Sequence, residues 1–357
     1  MKPIRYVLLG GGGIAGNHHS QAVKLPGVTL AGVHDTSEAT MERWKNNNPS
    51  IAVSADAKKL LSLTKPDLAI VCSPNAAHCP LTLAALQAGC HVLCEKPLAM
   101  DLGEALKMEA ARKKARRLGG INFSYRYVPS FRLAREIIRN GELGKIQRLN
   151  IKYLQSWIAS PHQHYSWRND IKVAGFGALG DLGVHMLDAA AYLTDLEPAK
   201  LAGVAQTLIP VKNDAQGKSH KVTTDTNASF LIQYAGGALG VFETSQVAVG
   251  FGNYFHVEIS GDKGVLRVLS EDGDNITLYS SQTVSQYDTW NAESFPKVRI
   301  PSGFAGLQSK NAIEGMVNTL RGVPVNNDYP TFEDGIRAQR CLTAIGESMK
   351  TDRWIRV

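Results

Sequence analysis

Three glycines near the N-terminus have the spacing that a phosphate-binding turn requires. Gly11, Gly13 and Gly16 follow a short apolar run in G-x-G-x-x-G order, and a helical segment comes next. Such glycines permit a tight turn, close approach of the backbone to a pyrophosphate and close packing of a helix on a strand. Asp35 ends the next apolar run and could accept hydrogen bonds from both hydroxyls of a ribose. The pattern predicts a dinucleotide site; the alternative is a purely structural glycine turn.

A lysine follows the fifth apolar run, in the sequence Glu95-Lys96-Pro97. If that run is a strand of a parallel sheet, the lysine lies at the carboxyl end of the strands, where ligands bind. Its ammonium group could donate a hydrogen bond to a substrate hydroxyl and stabilise the oxygen as it loses its proton. The alternative is an ordinary surface lysine in a loop.

A second group of ionisable residues, Asp181, His185 and Asp188, has the spacing of one stripe along a helix. A carboxylate one turn away can orient an imidazole, which suits a base that removes a hydroxyl proton near neutral pH. Two alternatives are a plain helix ion pair and a metal site. A metal needs a third ligand, for which His162 and His164 are candidates. Histidines in a polar loop explain that pair more simply, so we predict no metal.

A polar segment, Ser73-Pro74-Asn75 with His78, follows the fourth apolar run. A hydroxyl, an amide and a helix N-terminus at this position could contact the nicotinamide end of a dinucleotide, or they could cap the helix; both roles can hold together. The predicted cofactor site consists of Gly11, Gly13, Ile14, Ala15, Gly16, Asp35, Ser73, Pro74, Asn75, His78, Glu95 and Lys96.

The cofactor is expected to be NAD, with NADP less favoured. A carboxylate at Asp35 repels a 2′-phosphate. The next two residues, Thr36 and Ser37, are neutral, so no arginine follows directly to reverse that preference.

Aromatic and basic side chains further along the chain could bind a hydroxyl-rich substrate. Aromatic faces suit the C–H side of a sugar or cyclitol ring, and polar groups supply hydrogen bonds. Arg126, Trp167 and Arg168 could instead serve packing between domains. The predicted substrate site consists of Lys96, Arg126, Tyr153, Tyr165, Trp167, Arg168, Asp181 and His185, with His164 as a further candidate.

The elements that position these residues change in character along the chain. Apolar runs at 4–9, 28–34, 51–53, 68–72, 91–94 and 121–123 alternate with helical patterns. This alternation predicts a doubly wound parallel α/β sheet. After residue 125, period-two alternation such as Phe255, Val257 and Ile259 predicts half-buried antiparallel strands.

The two patterns indicate two domains. We expect a dinucleotide-binding domain at 1–125 and an α+β domain for substrate binding and oligomerisation at 126–357, with a large open, mostly antiparallel sheet. The polar residues 211–226 are predicted to form a loop. Helices are predicted near 308–321 and 332–350, and the latter could pack back on the first domain.

The composition is that of an ordinary soluble globular protein, with 44% hydrophobic and 20% charged residues among 357. No apolar run is long enough to span a bilayer, and the N-terminus lacks the order of a signal peptide. The five cysteines contain no C-x-x-C pair, as expected of reduced core thiols. The net charge of +7 favours anionic ligands, but the basic cluster Arg112–Arg117 is predicted to be a solvated helix face. We predict a cytoplasmic protein without a nucleic-acid or membrane partner.

Taken together, these motifs resemble those of the Gfo/Idh/MocA oxidoreductases. The resemblance rests on the glycine fingerprint, Ser73-Pro74-Asn75, Cys94-Glu95-Lys96-Pro97 and Gly180-Asp181-x-Gly183-x-His185. It implies an N-terminal Rossmann domain, a C-terminal domain with an open sheet, and a catalytic group of Lys96, Asp181 and His185. Family members often have three glycines ahead of the Asp181 segment, whereas here Phe176 interrupts them, which bears on the shape of the pocket.

The predicted function is an NAD-dependent oxidoreductase that acts on a secondary hydroxyl of a sugar, cyclitol or sugar derivative. Two alternatives are a non-catalytic sensor of the same fold and a sugar–sugar oxidoreductase that keeps its cofactor bound. Apolar residues on the open face of the second sheet would need a partner, so a homodimer or homotetramer through that sheet is expected.

Overall fold

The chain divides into two compact units. The computed structural model describes residues 1–160, 162–273, 275–280, 297–301, 304, 309–324 and 329–357. One unit comprises Met1–Ser124 with Gln308–Gln339, the other Tyr125–Leu307 with Arg340–Val357. The glycine turn and Lys96 therefore belong to the first unit, and Asp181 and His185 to the second.

The first unit is built on a parallel sheet. Its strands are β1 (Ile4–Leu9), β2 (Val28–His34), β3 (Ala52–Ser54), β4 (Leu68–Val71), β5 (His91–Cys94) and β6 (Gly119–Ile121). They lie in the order β3-β2-β1-β4-β5-β6, and each neighbouring pair is parallel. The order reverses between β1 and β4, and ligands bind beside such a reversal, at the carboxyl ends of the strands. The predicted doubly wound α/β fold is confirmed.

Helices connect these strands: α1 (Gly13–Ala22), α2 (Glu38–Asn47), α3 (Ala57–Thr64), α4 (His78–Gln87) and α5 (Leu102–Ala115). Side chains of Ser37, Asp56 and Asp101 accept hydrogen bonds from the first amides of α2, α3 and α5. Such caps satisfy amides that have no partner inside the helix. The strands between them are apolar because both faces are covered; every residue of β4 is buried.

The sixth strand begins two residues earlier than predicted, at Gly119 instead of residue 121. A Cβ at Gly119 would lie 2.5 Å from Arg112 and 2.8 Å from Phe332, and one at Gly120 would lie 2.8 Å from Met316. Glycine normally argues against a strand. Here it is required because neighbouring side chains fill the space.

The second unit is built on a mixed, mostly antiparallel sheet. The remaining strands are β7 (Ile146–Leu154), β8 (Pro198–Gln206), β9 (Val211–Asn213), β10 (Ser219–Lys221), β11 (Asn227–Tyr234), β12 (Leu239–Ser245), β13 (Tyr254–Gly261), β14 (Gly264–Leu269), β15 (Asn275–Ser280), β16 (Lys297–Arg299) and β17 (Ile355–Arg356). The order in the large sheet is β16-β15-β14-β13-β7-β12-β11-β8-β17. β7 pairs with β12 in parallel and with β13 in antiparallel orientation. This confirms the predicted large, mostly antiparallel sheet.

One face of this sheet is packed. The helices of the unit include α6 (Pro129–Arg139), α7 (Ile171–Ala174) and α8 (Val184–Thr194); α6 contacts β14 and β15, and α8 contacts β7. Phe255, Val257 and Ile259 of β13 are fully buried while their neighbours are half-buried. The period-two pattern therefore predicted this strand correctly.

The sequence predicted that the polar residues 211–226 form a loop, but part of this stretch is a hairpin. β9 and β10 pair as an antiparallel hairpin, with Ser219 opposite Asn213. Backbone hydrogen bonds hold this hairpin, so its side chains need not be apolar and carry little strand signal.

The tail contains α9 (Ala312–Leu320) and α10 (Phe332–Thr351). The predicted start of the first of these helices, residue 308, lies outside the described residues. All five cysteines are buried free thiols, as predicted. In the described part of the chain, no helix is both long enough and apolar enough to cross a bilayer.

Candidate active site

The glycine turn lies between β1 and α1. The residues that fit the fingerprint begin one position earlier than the sequence predicted. Gly10 has a φ of +107°, and a Cβ there would lie 2.6 Å from the backbone nitrogen of Ser73. Gly12 is the N-cap of α1 and faces open space, and Ala15 is fully buried. Tight turn, close backbone approach and helix packing therefore fall on Gly10, Gly12 and Ala15.

The glycines chosen from the sequence have other surroundings. A Cβ at Gly11 would lie 2.7 Å from Thr40 of α2, whereas one at Gly16 would meet nothing within 4 Å. The expectation that Gly16 permits close packing of helix and strand is therefore wrong. The signal for the correct register was present, since Gly10 is the residue that directly follows the last strand residue, Leu9.

The start of α1 fits an anionic group. No side chain caps it, its first turn holds no acidic residue, and Cβ atoms built at Gly12 and Gly13 would meet nothing within 4 Å. Uncapped amides at a helix N-terminus bind phosphate. Ile14 is partly exposed, while the side chain of Ala15 is buried, so Ala15 can offer only its backbone.

Asp35 is fixed at the end of β2. One carboxylate oxygen accepts a hydrogen bond from Gly11 N at 2.7 Å, and the other accepts one from Ser37 N at 2.8 Å. The backbone oxygen of Gly11 in turn accepts hydrogen bonds from Trp44 Nε1 and Arg43 Nη2. Sequence reasoning missed Arg43, because its guanidinium approaches Gly11 from α2 and not from the residues next to Asp35.

The loop after β4 is tied to the loop after β5. His78 is 1% exposed; its Nδ1 lies 2.8 Å from Pro97 O and its Nε2 3.1 Å from Ser73 O. Burial lowers the pKa of His78. Both ring nitrogens face backbone oxygens, so His78 joins the two loops; its predicted contact with the cofactor stays a prediction. Asn75, also buried, begins the short 3₁₀ turn Asn75–Ala77.

Glu95 is likewise buried, whereas the sequence assigned it to the cofactor. Its carboxylate accepts hydrogen bonds from His18, Asn122 and the backbone nitrogen of Lys96. Its role is therefore internal, and the Lys96–Pro97 peptide bond that follows is cis.

Asp181 and His185 lie at a junction of two helix types. Asp181 belongs to a π-helical turn, Leu179–Gly183, and His185 to the first turn of α8. The uniform α-helical stripe predicted from the spacing is therefore wrong at Asp181. Gln246 Nε2 donates a hydrogen bond to Asp181 Oδ2 at 2.8 Å. Single π-helical turns inside helices are frequent at functional sites.

Asp225 holds the start of that turn, and sequence reasoning missed it. Its two carboxylate oxygens accept hydrogen bonds from Gly177 N at 2.6 Å and Leu179 N at 2.7 Å, and its backbone oxygen accepts one from Ala178 N. A Cβ at Gly177 would overlap Asp225, which explains why a glycine stands there. Burial raises the pKa of Asp225, and the backbone amides oppose that shift. The residue lies in the stretch predicted to be loop, so no pattern indicated it.

His185 lies in a polar aromatic cluster. It is 6% exposed, with its ring centroid 5.2 Å from that of Tyr125 and 6.2 Å from that of Tyr153. The hydroxyls of Tyr125 and Tyr153 are 2.7 Å apart, and Tyr153 also donates to Asn253. Gln155 Nε2 donates to both Tyr153 and Asn253. Of this cluster, the sequence predicted His185 and Tyr153.

Arg126 and Asp188 pair with each other inside the second unit. Arg126 Nε donates to both carboxylate oxygens of Asp188, and the two side chains are 14% and 4% exposed. Arg126 was predicted to bind substrate; its guanidinium forms this ion pair, and the substrate role stays a prediction.

The other predicted substrate residues lie on the segment before α7. Tyr165 stacks on His220 with ring centroids 4.5 Å apart. The Arg168 guanidinium lies 4.4 Å from the Trp167 ring centroid on a short 3₁₀ turn. His162 and His164 are exposed. Among the described residues, no three histidine, cysteine or acidic side chains converge as a metal site would require.

Comparison with known proteins assigns the chain to a family. A model described as an oxidoreductase family with an NAD-binding Rossmann fold matches residues 4–123, and the model of the GFO/IDH/MocA C-terminal domain matches residues 131–267. The chain belongs to the Gfo/Idh/MocA oxidoreductases. The resemblance noted from the sequence is confirmed, and so is NAD as the cofactor of the first unit.

Individual relatives are dehydrogenases. Levoglucosan dehydrogenase of Pseudarthrobacter phenanthrenivorans is 29% identical over 82% of this chain and 80% of its own. Glucose-6-phosphate 3-dehydrogenase of Bacillus subtilis is 26% identical over 94% and 93%. A structure of levoglucosan dehydrogenase in complex with NADH and L-sorbose has a TM-score of 0.87 at 26% identity, covering 99% of this chain and 98% of that one.

Proposed function

We propose that this member of the family is an NAD-dependent dehydrogenase that acts on a secondary hydroxyl of a polyol, cyclitol or sugar derivative. The observation that carries this proposal is the placement of His185. It is a nearly buried imidazole beside the Asp181 turn, and that turn is fixed by Gln246 and Asp225. A general base must be held in one orientation to act efficiently.

The roles follow from the chemistry of each group. His185 takes the proton of the substrate hydroxyl, and Asp181 positions the imidazole or the substrate. Lys96 donates a hydrogen bond to the same oxygen and stabilises the charge that develops there. The start of α1 and Asp35 would hold NAD, which when bound would supply the hydride acceptor for the substrate carbon.

The surroundings of His185 favour a hydroxyl-rich substrate. Tyr125, Gln155 and Asn253 bring hydroxyl and amide groups to the aromatic cluster around it. A polyol could exchange hydrogen bonds with these hydroxyl and amide groups at several positions, whereas an aliphatic alcohol has only one hydroxyl to offer. Relatives named for levoglucosan and glucose 6-phosphate support the same substrate class.

A substrate panel tests this function. Inositols, aldoses, anhydrosugars, amino sugars and short-chain alcohols are offered with NAD at mildly alkaline pH, and NADH absorbance is followed. Turnover of at least one cyclic polyol or sugar, with none of aliphatic alcohols, is expected. Activity confined to aliphatic alcohols would overturn the substrate class. No turnover across the panel, with NAD binding intact, would favour the non-catalytic sensor.

A further inference from the structure

A buried carboxylate is bonded to the segment that carries Lys96. Glu95 is 8% exposed. Its Oε1 accepts hydrogen bonds from His18 Nε2 at 2.7 Å and Asn122 Nδ2 at 2.8 Å, and its Oε2 accepts one from the Lys96 backbone nitrogen at 3.1 Å. The donors come from α1, from the segment after β6 and from the segment after β5. Glu95 therefore connects three segments of the first unit at the carboxyl side of its sheet.

These contacts keep Glu95 charged. Burial alone raises the pKa of a carboxyl group, but His18, Lys96 and Asn122 together lower the pKa of Glu95 to about 2. An ionised carboxylate only accepts hydrogen bonds, so His18 carries a proton on Nε2. His18 Nδ1 is buried and has no hydrogen-bond partner among the described residues.

We propose that Glu95 and His18 are positioning residues for Lys96. His18 fixes the Glu95 carboxylate, and Glu95 holds the Lys96 backbone and so sets the position from which the lysine side chain extends. The proposal rests on the role of Lys96 in the proposed function. His18 also lies on α1, the helix whose N-terminus fits the phosphates, so one network links the cofactor segment to the lysine.

The first test measures the chemical reactivity of Lys96 and needs no substrate. Glu95→Gln is compared with Glu109→Gln, because Glu109 is also nearly buried and pairs with Arg112 and Lys113 of α5. The full-length proteins react with limiting acetic anhydride at pH 8, and acetylation of Lys96 is quantified by mass spectrometry. Glu95→Gln should change the rate at Lys96 by at least about twofold, because the segment that carries the amine loses its carboxylate anchor. An unchanged rate, or an equal change in Glu109→Gln, would overturn the proposal.

The second test is kinetic and uses any substrate found in the panel. Glu95→Gln should lower kcat roughly 10- to 100-fold while KM and the Kd of NAD change by less than about threefold, because only the placement of Lys96 is lost. A rise in KM with kcat unchanged would contradict a role in positioning Lys96.

Variants of His18 keep the proposal testable if one substitution disturbs folding. His18→Gln retains an N–H donor and should keep more of the wild-type kcat than His18→Leu. The double variant His18→Leu/Glu95→Gln should be no slower than Glu95→Gln, since both changes act through one carboxylate; additive losses would contradict this. If the wild type turns over no substrate, the proposed function fails, while the acetylation rate still decides whether Glu95 controls Lys96.

Discussion

Arg126 Nε donates hydrogen bonds to both carboxylate oxygens of Asp188, at 3.1 and 3.0 Å. The guanidinium also lies 5.0 Å from the ring centroid of Tyr192. Asp188 is 4% exposed, so water has little access to its carboxylate. The pair gives Arg126 and Asp188 a structural role inside the second unit, and substrate binding by Arg126 stays a prediction.

Loss of Arg126 should therefore destabilise the protein more than it affects cofactor binding. Arg126→Met removes this ion pair from a nearly buried carboxylate, which costs about 3–5 kcal/mol. Arg126→Met/Asp188→Leu should recover most of that loss. The free energy of unfolding from urea denaturation measures both. Arg139→Met is the control, because its pair with Asp195 is exposed and worth less than about 1 kcal/mol; equal effects of the two arginine variants would contradict the prediction.

Asp35 should determine the preference for NAD. Asp35→Ala removes the carboxylate that repels a 2′-phosphate and leaves Arg43, which lies against Gly11, free to attract one. We expect the ratio of the NADP and NAD dissociation constants to fall by at least about tenfold. Asp67→Ala is a matched control, since Asp67 also accepts a backbone hydrogen bond, from Arg5, but precedes β4 at the other end of the strands. Tighter binding of NADP than NAD by the wild type would overturn the prediction.

The catalytic roles predict a separation of turnover from binding. His185→Ala and Lys96→Ala should each lower kcat by roughly 10²–10⁴, while NAD binding stays within a few fold because α1 and Asp35 are intact. His185→Ala should also lose the acidic limb of the pH–rate profile. His256→Ala serves as the control, since His256 lies on β13 and not beside Asp181. A near-normal kcat in His185→Ala would remove this histidine from the mechanism.

Much of the fold could be predicted because local patterns specify it. The alternation of apolar strands with helices predicted the parallel α/β sheet of the first unit. The alternation of Phe255, Val257 and Ile259 predicted a half-buried strand of the second. Errors occurred where backbone geometry decides. The fingerprint was assigned from Gly11 although Gly10 directly follows the first strand, and the positive φ of Gly10 and its close approach to Ser73 identify it as the first glycine.

Short sequence motifs indicated the groups that we propose to react, but they did not indicate the residues that hold those groups in place. Lys96, Asp181 and His185 follow short motifs, whereas Asp225 and Gln246 come from segments distant in sequence. His78 and Glu95 were assigned to the cofactor because of their position, yet burial gives them internal partners. Burial of a polar side chain depends on long-range packing, which residue spacing does not specify.

Glu95 should also make the free energy of unfolding sensitive to acid. Its pKa is about 2 in the folded protein, below the ordinary value of 4.5, so it stabilises the fold above pH 4.5 and this contribution is lost as the pH falls toward 2. The full effect is on the order of 3 kcal/mol. Urea denaturation at pH 6, 4 and 3 should show a smaller loss of stability in Glu95→Gln than in the wild type. Parallel losses in both proteins would contradict the assignment.

The large sheet predicts self-association. Leu231 of β11 lies opposite Val241 of β12, and these side chains, with Leu239 and Val204, are 38–64% exposed on one face. Contiguous exposed apolar residues usually mark an interface, so a homodimer or larger oligomer through this face is expected. Sedimentation velocity should show an oligomer at micromolar concentration for the wild type and a monomer for Leu231→Glu/Val241→Glu. Leu63→Glu, an exposed leucine on α3 of the other unit, should leave the oligomer unchanged; a monomeric wild type would contradict the prediction.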